Sequence, residues 1–244
     1  MYKHNEQRTE QYSNNFTDDK VYKTLLPDCK VIFDIGANFG QSIKKFKSIW
    51  PDCIIHAFEP LPECQKTLKE LSDQYHDVHI HEMAVGAVCD YKQFYKPEVQ
   101  IALTSIYRIN PNSRDSLAIN APELAGVTSE EYLKGINNTF SANVTTLDDF
   151  CKQHNVVPDF VKMDIQGSES AVLAGAINTL PNVRMLQMEV MLYDLYEHKT
   201  SFFDIEKYTR SNFELYDIFH IAKNPMNGRT DWIDVIYKNI KKSG

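Results

Sequence analysis

No stretch of about 18 consecutive apolar residues occurs in this 244-residue chain, so no membrane-spanning helix is expected. The N-terminus, Met1-Tyr2-Lys3-His4-Asn5-Glu6, has no apolar run behind its charges, which argues against a secretory leader. Cations are in deficit, 26 Lys and Arg against 33 Asp and Glu, for a formal net charge of -7. A phosphate-backbone binder needs clustered cations, and the one cluster, Lys238, Lys241 and Lys242, reads as a solvated tail. No nucleic-acid partner is therefore expected. The five cysteines (Cys29, Cys53, Cys64, Cys89, Cys151) contain no C-x-x-C pair. Their odd number and scatter exclude a zinc ribbon or a disulfide framework, and they point to reduced thiols in a cytoplasmic protein. Internal repeats and low-complexity tracts are also missing.

What is present suits one large α/β domain: 43% of residues are hydrophobic and 24% charged. Val31-Ile32-Phe33 is a short β-rich run of the kind found in buried parallel strands. Ile43, Phe46, Ile49 and Trp50 then recur at helical spacing until Pro51. Residues 53–58 read as a second strand, Leu61, Cys64, Leu68 and Leu71 as a helical stripe, and residues 78–81 as a third strand. Three such units in a row imply a parallel sheet with right-handed crossovers. Ahead of them, residues 1–29 read as an N-terminal arm and a short helix: a polar tail or loosely docked arm up to about Asp19, then a helix from Thr17 stopped by Pro27.

The middle of the chain is less regular. Residues 91–95 and 103–107 read as short strands around a turn at Pro97, and residues 108–143 as a polar, loop-like insertion. That insertion holds one helix, announced by a Thr128–Glu131 capping box. Its apolar members, Leu117, Ile119, Leu124, Val127, Tyr132 and Leu133, suit a lid over a site. Alternation resumes with a helix at Leu147, Phe150 and Cys151, a strand at 160–163, a helix at 168–177 and a strand at 184–190. A helix near 202–209 and a strand hairpin, 213–221 and 232–237, close the domain around Asn224-Pro225-Met226-Asn227-Gly228. The domain is expected over residues 30–240.

The strongest local signal is Asp34-Ile35-Gly36-Ala37-Asn38-Phe39-Gly40, a glycine-bearing turn between a buried strand and a helix. Ligands of open α/β sheets bind beyond the carboxyl ends of strands, where such a turn lies. Gly36 permits close backbone approach to a ligand, Asn38 tolerates a left-handed conformation, and Gly40 allows close helix–strand packing. Phe58-Glu59-Pro60 follows about twenty residues on, where a carboxylate accepts both hydroxyls of a ribose. A nicotinamide dinucleotide wants G-x-G-x-x-G, but Asn38 stands where the second glycine would be. Asp34 would repel a pyrophosphate and suits an ammonium group. The charges favour S-adenosylmethionine, a phosphate-free nucleoside. Two alternatives stay open: a nicotinamide-dependent oxidoreductase and a non-catalytic binding protein of the same fold.

These motifs, with Ala84-Val85-Gly86 and Val161-Lys162-Met163-Asp164-Ile165-Gln166-Gly167-Ser168-Glu169, resemble the ordered motifs of FkbM-type methyltransferases. The resemblance implies a single Rossmann-like, class I α/β domain whose mostly parallel seven-stranded sheet has the order 3-2-1-4-5-7-6, with the last strand antiparallel. It also implies an S-adenosylmethionine-dependent enzyme, releasing S-adenosylhomocysteine, that usually methylates a hydroxyl. By the same resemblance, Asp34, Gly36, Ala37, Asn38 and Gly40 surround the methionine part of the cofactor. Glu59, with Pro60, meets the ribose, Met83 and Ala84 line the adenine, and Ser105, after Thr104, supplies a hydroxyl. Gln166 departs from the pattern, which commonly has Glu there.

A hydroxyl acceptor must lose a proton during in-line methyl transfer, so a carboxylate or imidazole should stand near it. Asp164, Glu169 and Glu189, from adjacent strand ends, are the catalytic candidates, with Asp164 also counted toward the cofactor. The same acids raise a divalent-metal reading, which the spacing does not favour. Of the histidines, only His198 and His220 merit testing as a base, and Tyr193, Tyr196 and Trp232 are candidates for an acceptor pocket. By the family resemblance, the acceptor is expected to be a small molecule or carbohydrate. Composition leaves the oligomeric state open.

Overall fold

The computed structural model describes residues 17–113, 126–224 and 227–242. Its centre is strand β1 (Val31–Ile35), buried from Ile32 onward. Strand β2 (Ile54–Phe58) pairs parallel with it on one side and β7 (Phe160–Met163) on the other. Outside these lie β3 (Val78–His81) and β8 (Met185–Met191), both parallel to their neighbours. The chain ends in a hairpin of β9 (Phe213–Lys223) and β10 (Thr230–Asn239), and β10 inserts antiparallel between β8 and β9. The order β3-β2-β1-β7-β8-β10-β9 is the expected 3-2-1-4-5-7-6 once the main-sheet strands are numbered among themselves.

Side-chain alternation divides the core in two. Ile32 faces α1 (Asp18–Leu25), α2 (Gln41–Ile49) and α3 (Pro62–Gln74), where Tyr22, Phe46, Trp50 and Phe160 pack ring against ring. Phe33 and Ile35 face α5 (Leu147–His154), α6 (Glu169–Ala174) and α7 (Phe202–Thr209), around Phe150, Leu173 and Leu186. Burying one such side chain is worth about 1.5–3 kcal/mol. Packing of this kind, more than propensity, holds helices only two turns long.

The first helix forms where Thr17 and Pro27 bound it, and it is docked on the sheet. Tyr22 is 1% exposed, and its hydroxyl donates to Gln187 Oε1 on β8 at 2.6 Å. Residues 1–16 of the expected arm lie outside the described residues.

The middle of the chain departs from expectation in three places. The first is a second sheet, in which β4 (Ala84–Val85) and β5 (Asp90–Lys96) flank β6 (Asn138–Thr145). Strand β6 lies where a loop was expected, because its polar residues alternate with Phe140, Ala142 and Val144, which pack with Phe94. The second is the segment 103–107, which is not a strand. A 3-10 turn spans Ile101–Leu103, the Thr104 hydroxyl donates to Ile101 O at 2.6 Å, and one antiparallel bridge joins Ser105 to Tyr95. That local side-chain bond competes with strand pairing. The third is α6, which ends at Ala174, short of Ile177: a Cβ on the next residue, Gly175, would lie 2.2 Å from Gly86 O.

Within the expected insertion, α4 (Ser129–Gly135) carries the anticipated Thr128–Glu131 capping box. Tyr132 and Ile136 are buried against Tyr193, Leu195 and Tyr196, and Asn137 exchanges hydrogen bonds with the backbone of Ile109 at 2.9 and 3.0 Å. Leu133 is exposed. Leu117, Ile119 and Leu124 lie outside the described residues, as do Pro225 and Met226 of the closing turn.

Candidate active site

The turn after β1 is built on left-handed backbone. Gly36 has φ 80°, Asn38 φ 49° and Gly40 φ 81°. A Cβ on Gly36 would stand 2.0 Å from the carbonyl oxygen of Asp164, so this glycine lets the turn press against the end of β7. A Cβ on Gly40 would meet Leu71 Cδ1 at 2.2 Å, so that position serves packing of α2 on α3 instead of helix–strand packing.

Glu59, at the end of β2, clamps this turn. Asn38 N–H donates to its Oε2 at 2.8 Å and Leu61 N–H to its Oε1 at 2.9 Å. Burial raises the Glu59 carboxyl above the ordinary range, while those two N–H donors and Lys162 oppose the shift. Each oxygen keeps a free lone pair, so the carboxylate still accepts hydroxyl donors.

Glu59 looks into a cleft of about 760 Å³, mouth included, beyond the carboxyl ends of β1, β2 and β7. The cleft unites Gly36, Asn38, Glu59, Pro60, Ala84, Ser105 and Asp164, all expected at the site. It adds Phe94, Ile101, Ile106, Ile165 and Gln166, which sequence reasoning did not place there. Phe94 and Ile106 belong to the second sheet and its margin, so no motif announces them. The Ser105 hydroxyl is engaged in the wall itself, donating to Gln166 O at 2.8 Å and accepting Tyr107 N–H at 3.1 Å.

Six expected residues do not line the cleft. Ala37 and Met83 pack into the two halves of the core, and Gly40 lies under α3. Asp34 is fully buried: Ser42 Oγ donates to its Oδ2, and the Lys162 ammonium stands 3.3 Å from Oδ1. It is therefore engaged inside the protein and lies off the cleft lining. Glu169 is 1% exposed and turns back on its own loop, accepting Gly167 N–H at 3.2 Å and Ile165 N–H at 3.4 Å. Burial pushes its carboxyl up to about 7. Glu189 stands behind the lining, 3.0 Å from Gln166 Nε2. Burial, and then the carboxylates of Asp164, Asp234 and Glu169, hold it well above the ordinary carboxylate range.

Lys162 ties these parts together. Its ammonium donates to Gly36 O at 3.1 Å and stands 3.6 Å from Asp164 Oδ2, besides facing Asp34. Burial works against the ammonium, but Asp34, Asp164 and Glu189 outweigh it and raise Lys162 above an ordinary lysine. The signal was legible: one cation inside an otherwise apolar central strand has to meet buried acids.

The remaining candidates lie elsewhere. His220 bridges Asp234 (2.9 Å) and Asp18 (3.1 Å), and His198 stands beside the Tyr107 ring. His56, His79, His81 and His154 cluster with Phe58 and Phe150 on one face of β2 and β3. Trp232 packs beside Tyr193, and Tyr196 donates to Gln166 Oε1 at 3.0 Å. Among the described residues, no three His, Cys, Asp or Glu side chains are grouped to hold a metal ion.

The cleft lining carries two carboxylates, Glu59 and Asp164, and no Lys, Arg or His among the described residues. Such a wall suits a ribose and a positive charge and offers a pyrophosphate no cation. With this sheet order, the cleft defines a class I, S-adenosylmethionine-dependent methyltransferase domain. The chain belongs to the family described as the Methyltransferase FkbM domain, which matches residues 34–214. It is 26% identical to the 2-O-methyltransferase NoeI of Sinorhizobium fredii over 192 residues, covering 73% of this chain and 72% of that protein. Two solved structures are similar at 11% identity. One is the precorrin-6y C5,15-methyltransferase of Geobacter metallireducens (TM-score 0.44, covering 91% of this chain and 87% of that one). The other is the 1,6-didemethyltoxoflavin-N1-methyltransferase of Burkholderia thailandensis (TM-score 0.45, covering 91% and 76%). No helix among the described residues is long and apolar enough to cross a membrane.

Proposed function

We propose that this protein transfers the methyl group of S-adenosylmethionine to a hydroxyl of a small molecule or carbohydrate. The observation that carries the reading is the cleft wall: Glu59 held by two backbone N–H groups at one end, Asp164 at the other, and no cation on the lining between. Glu59 would accept the ribose hydroxyls, and Ala84, Phe94 and Ile106 would cover the base. Gly36 and Asn38 would bound the amino-acid portion. The bound cofactor supplies an activated methyl carbon, so the chain's own task is to align the acceptor and take its proton. Asp164 is the carboxylate for that step, being on the lining with its side chain 40% exposed. Glu189 lies one side chain behind as a second acid, and Glu169 serves the loop that carries Asp164. A hydroxyl acceptor is supported by the name of the relative NoeI, a 2-O-methyltransferase. On the acceptor side, α4 would bound the cleft, since it packs on Tyr193 and Tyr196 beside Gln166.

Titration calorimetry with S-adenosylmethionine, S-adenosylhomocysteine and NAD tests the cofactor part. Binding of the first two and not of NAD is expected; the reverse order would overturn the reading in favour of a dehydrogenase. Labelled methyl donor offered with a panel of mono- and oligosaccharides and hydroxylated metabolites tests the acceptor part. Label appearing only on amines or carbon would overturn O-methylation.

A further inference from the structure

Gln166 occupies an unusual place. It sits in left-handed backbone, φ 58°, directly on the cleft wall. Its Nε2 donates to Asp164 Oδ1 at 2.9 Å and to Glu189 Oε1 at 3.0 Å. Its Oε1 faces the hydroxyl of the buried Tyr196, and its backbone oxygen accepts from Ser105. A non-glycine residue is held in strained backbone here by four polar partners. Both amide N–H bonds are spent on two carboxylates that otherwise have little to separate them.

We propose that Gln166 is a positioning residue that holds Glu189, one side chain behind the lining, against Asp164 at the transfer end of the cleft, so that the pair distinguishes the cationic methyl donor from its neutral product. The proposal rests on the methyl-transfer reading above. Two carboxylates in a low-dielectric site both ionise only if donors or cations face them. Asp164 has Lys162 at 3.6 Å and the Gln166 amide; Glu189 has that amide, and Asp234 stands opposite it on β10. The other ionisable groups around the pair are Asp34 on Lys162, Glu169 below Asp164, Tyr193 and Tyr196 beyond Glu189, and His220 on Asp234. Lys162 is therefore the one cation in contact with the pair among the described residues, and it is already shared between Asp34 and Asp164. A sulfonium brought into the cleft supplies a second positive charge and favours the fully ionised pair. Its binding should release a proton over the range in which Glu189, raised by burial and the neighbouring acids, titrates, and binding of the neutral thioether should not. The amide sets where that range lies, because it bonds both ionised groups at once.

The test measures the dissociation constants of S-adenosylmethionine and S-adenosylhomocysteine by calorimetry between pH 6 and 9, in buffers of different ionisation enthalpy. In the wild type, the donor-to-product affinity ratio should rise with pH, by up to about tenfold per unit, with proton release accompanying donor binding only. Gln166→Glu keeps the shape, removes both donors and adds an acid. It should move that rise upward by about one pH unit or more, while the affinity for S-adenosylhomocysteine stays within about threefold. Gln166→Met removes the donors without adding charge. It should shift the rise in the same direction, and it serves if the Glu variant does not fold. An unshifted ratio in folded variants would overturn the proposal, as would equal loss of both ligands at every pH, which is what mere propping of the wall would give. A wild type that binds neither ligand would overturn the methyl-transfer reading, and the proposal with it.

Discussion

Glu59 shows how much one carboxylate does at this site. Its two oxygens end the β2 loop, fix the left-handed Asn38 and face the cleft. Glu59→Gln places an NH₂ group against one of those backbone donors, so a buried N–H loses its acceptor as the ligand loses one of its own. The affinity for S-adenosylhomocysteine should fall by about 1–3 kcal/mol, measured by calorimetry on protein with an unchanged circular dichroism spectrum. Full retention would remove Glu59 from the nucleoside site. That Glu59 lies on the cleft was legible from its place at the end of the second strand, about twenty residues past the glycine turn. The engagement of Asp34 was not. The sequence shows a strand-end acid, but only the parallel register of β1 with β7 sets Lys162 beside it and closes a buried ion pair. The same register hid the reason for Gly36, whose neighbour across the turn is Asp164 O.

At the scale of elements, period and punctuation located every strand of the main sheet. The parallel strands β1, β2, β7 and β8 are short apolar runs bounded by turn residues, while the edge strand β9 is longer and mostly exposed. The second sheet escaped because it is half exposed: β6 offers Phe140, Ala142 and Val144 on alternate positions among Asn, Thr and Ser, a weaker signal. That small sheet supplies Phe94 and Ala84 to the cleft, so its docking on the main domain matters to the site. Gly175 is the contact. A Cβ there would lie 2.2 Å from Gly86 O and 3.1 Å from Thr146 Cβ, between the end of α6 and the exit from β4. Gly175→Ala should therefore cost about 1–3 kcal/mol in urea unfolding and weaken S-adenosylhomocysteine through Ala84, although the residue touches no ligand. Wild-type stability would show that α6 and β4 separate freely.

Across the whole molecule, two sets of buried groups titrate against each other. Glu169 is raised by burial from about 4.3 in an unfolded chain to about 7, so the folded state binds more protons between those values. Its contribution is present at low pH and is lost as pH rises through that window; Glu189, raised by burial and neighbouring acids, acts in the same sense. His56 and His81 run the other way. Burial and, second for His56, the facing His81 lower both from about 6.5 to about 4, and His56 Nδ1 lies 3.0 Å from His81 Nε2. These rings fold neutral, so their contribution is complete above pH 6.5 and lost as pH falls toward 4. The two slopes have opposite sign over nearly the same interval, and the wild type should show a shallow stability profile between pH 4.5 and 6.5. Removing either set should expose the other. Glu169→Gln should make stability rise with pH across this interval and gain about 1–3 kcal/mol relative to wild type between pH 5 and pH 8. His56→Phe, set among Phe33 and Phe150, should make stability fall with pH instead. Urea midpoints measured every half unit of pH decide the matter: parallel profiles for the two variants would mean that the buried acids and imidazoles do not govern the stability of the fold.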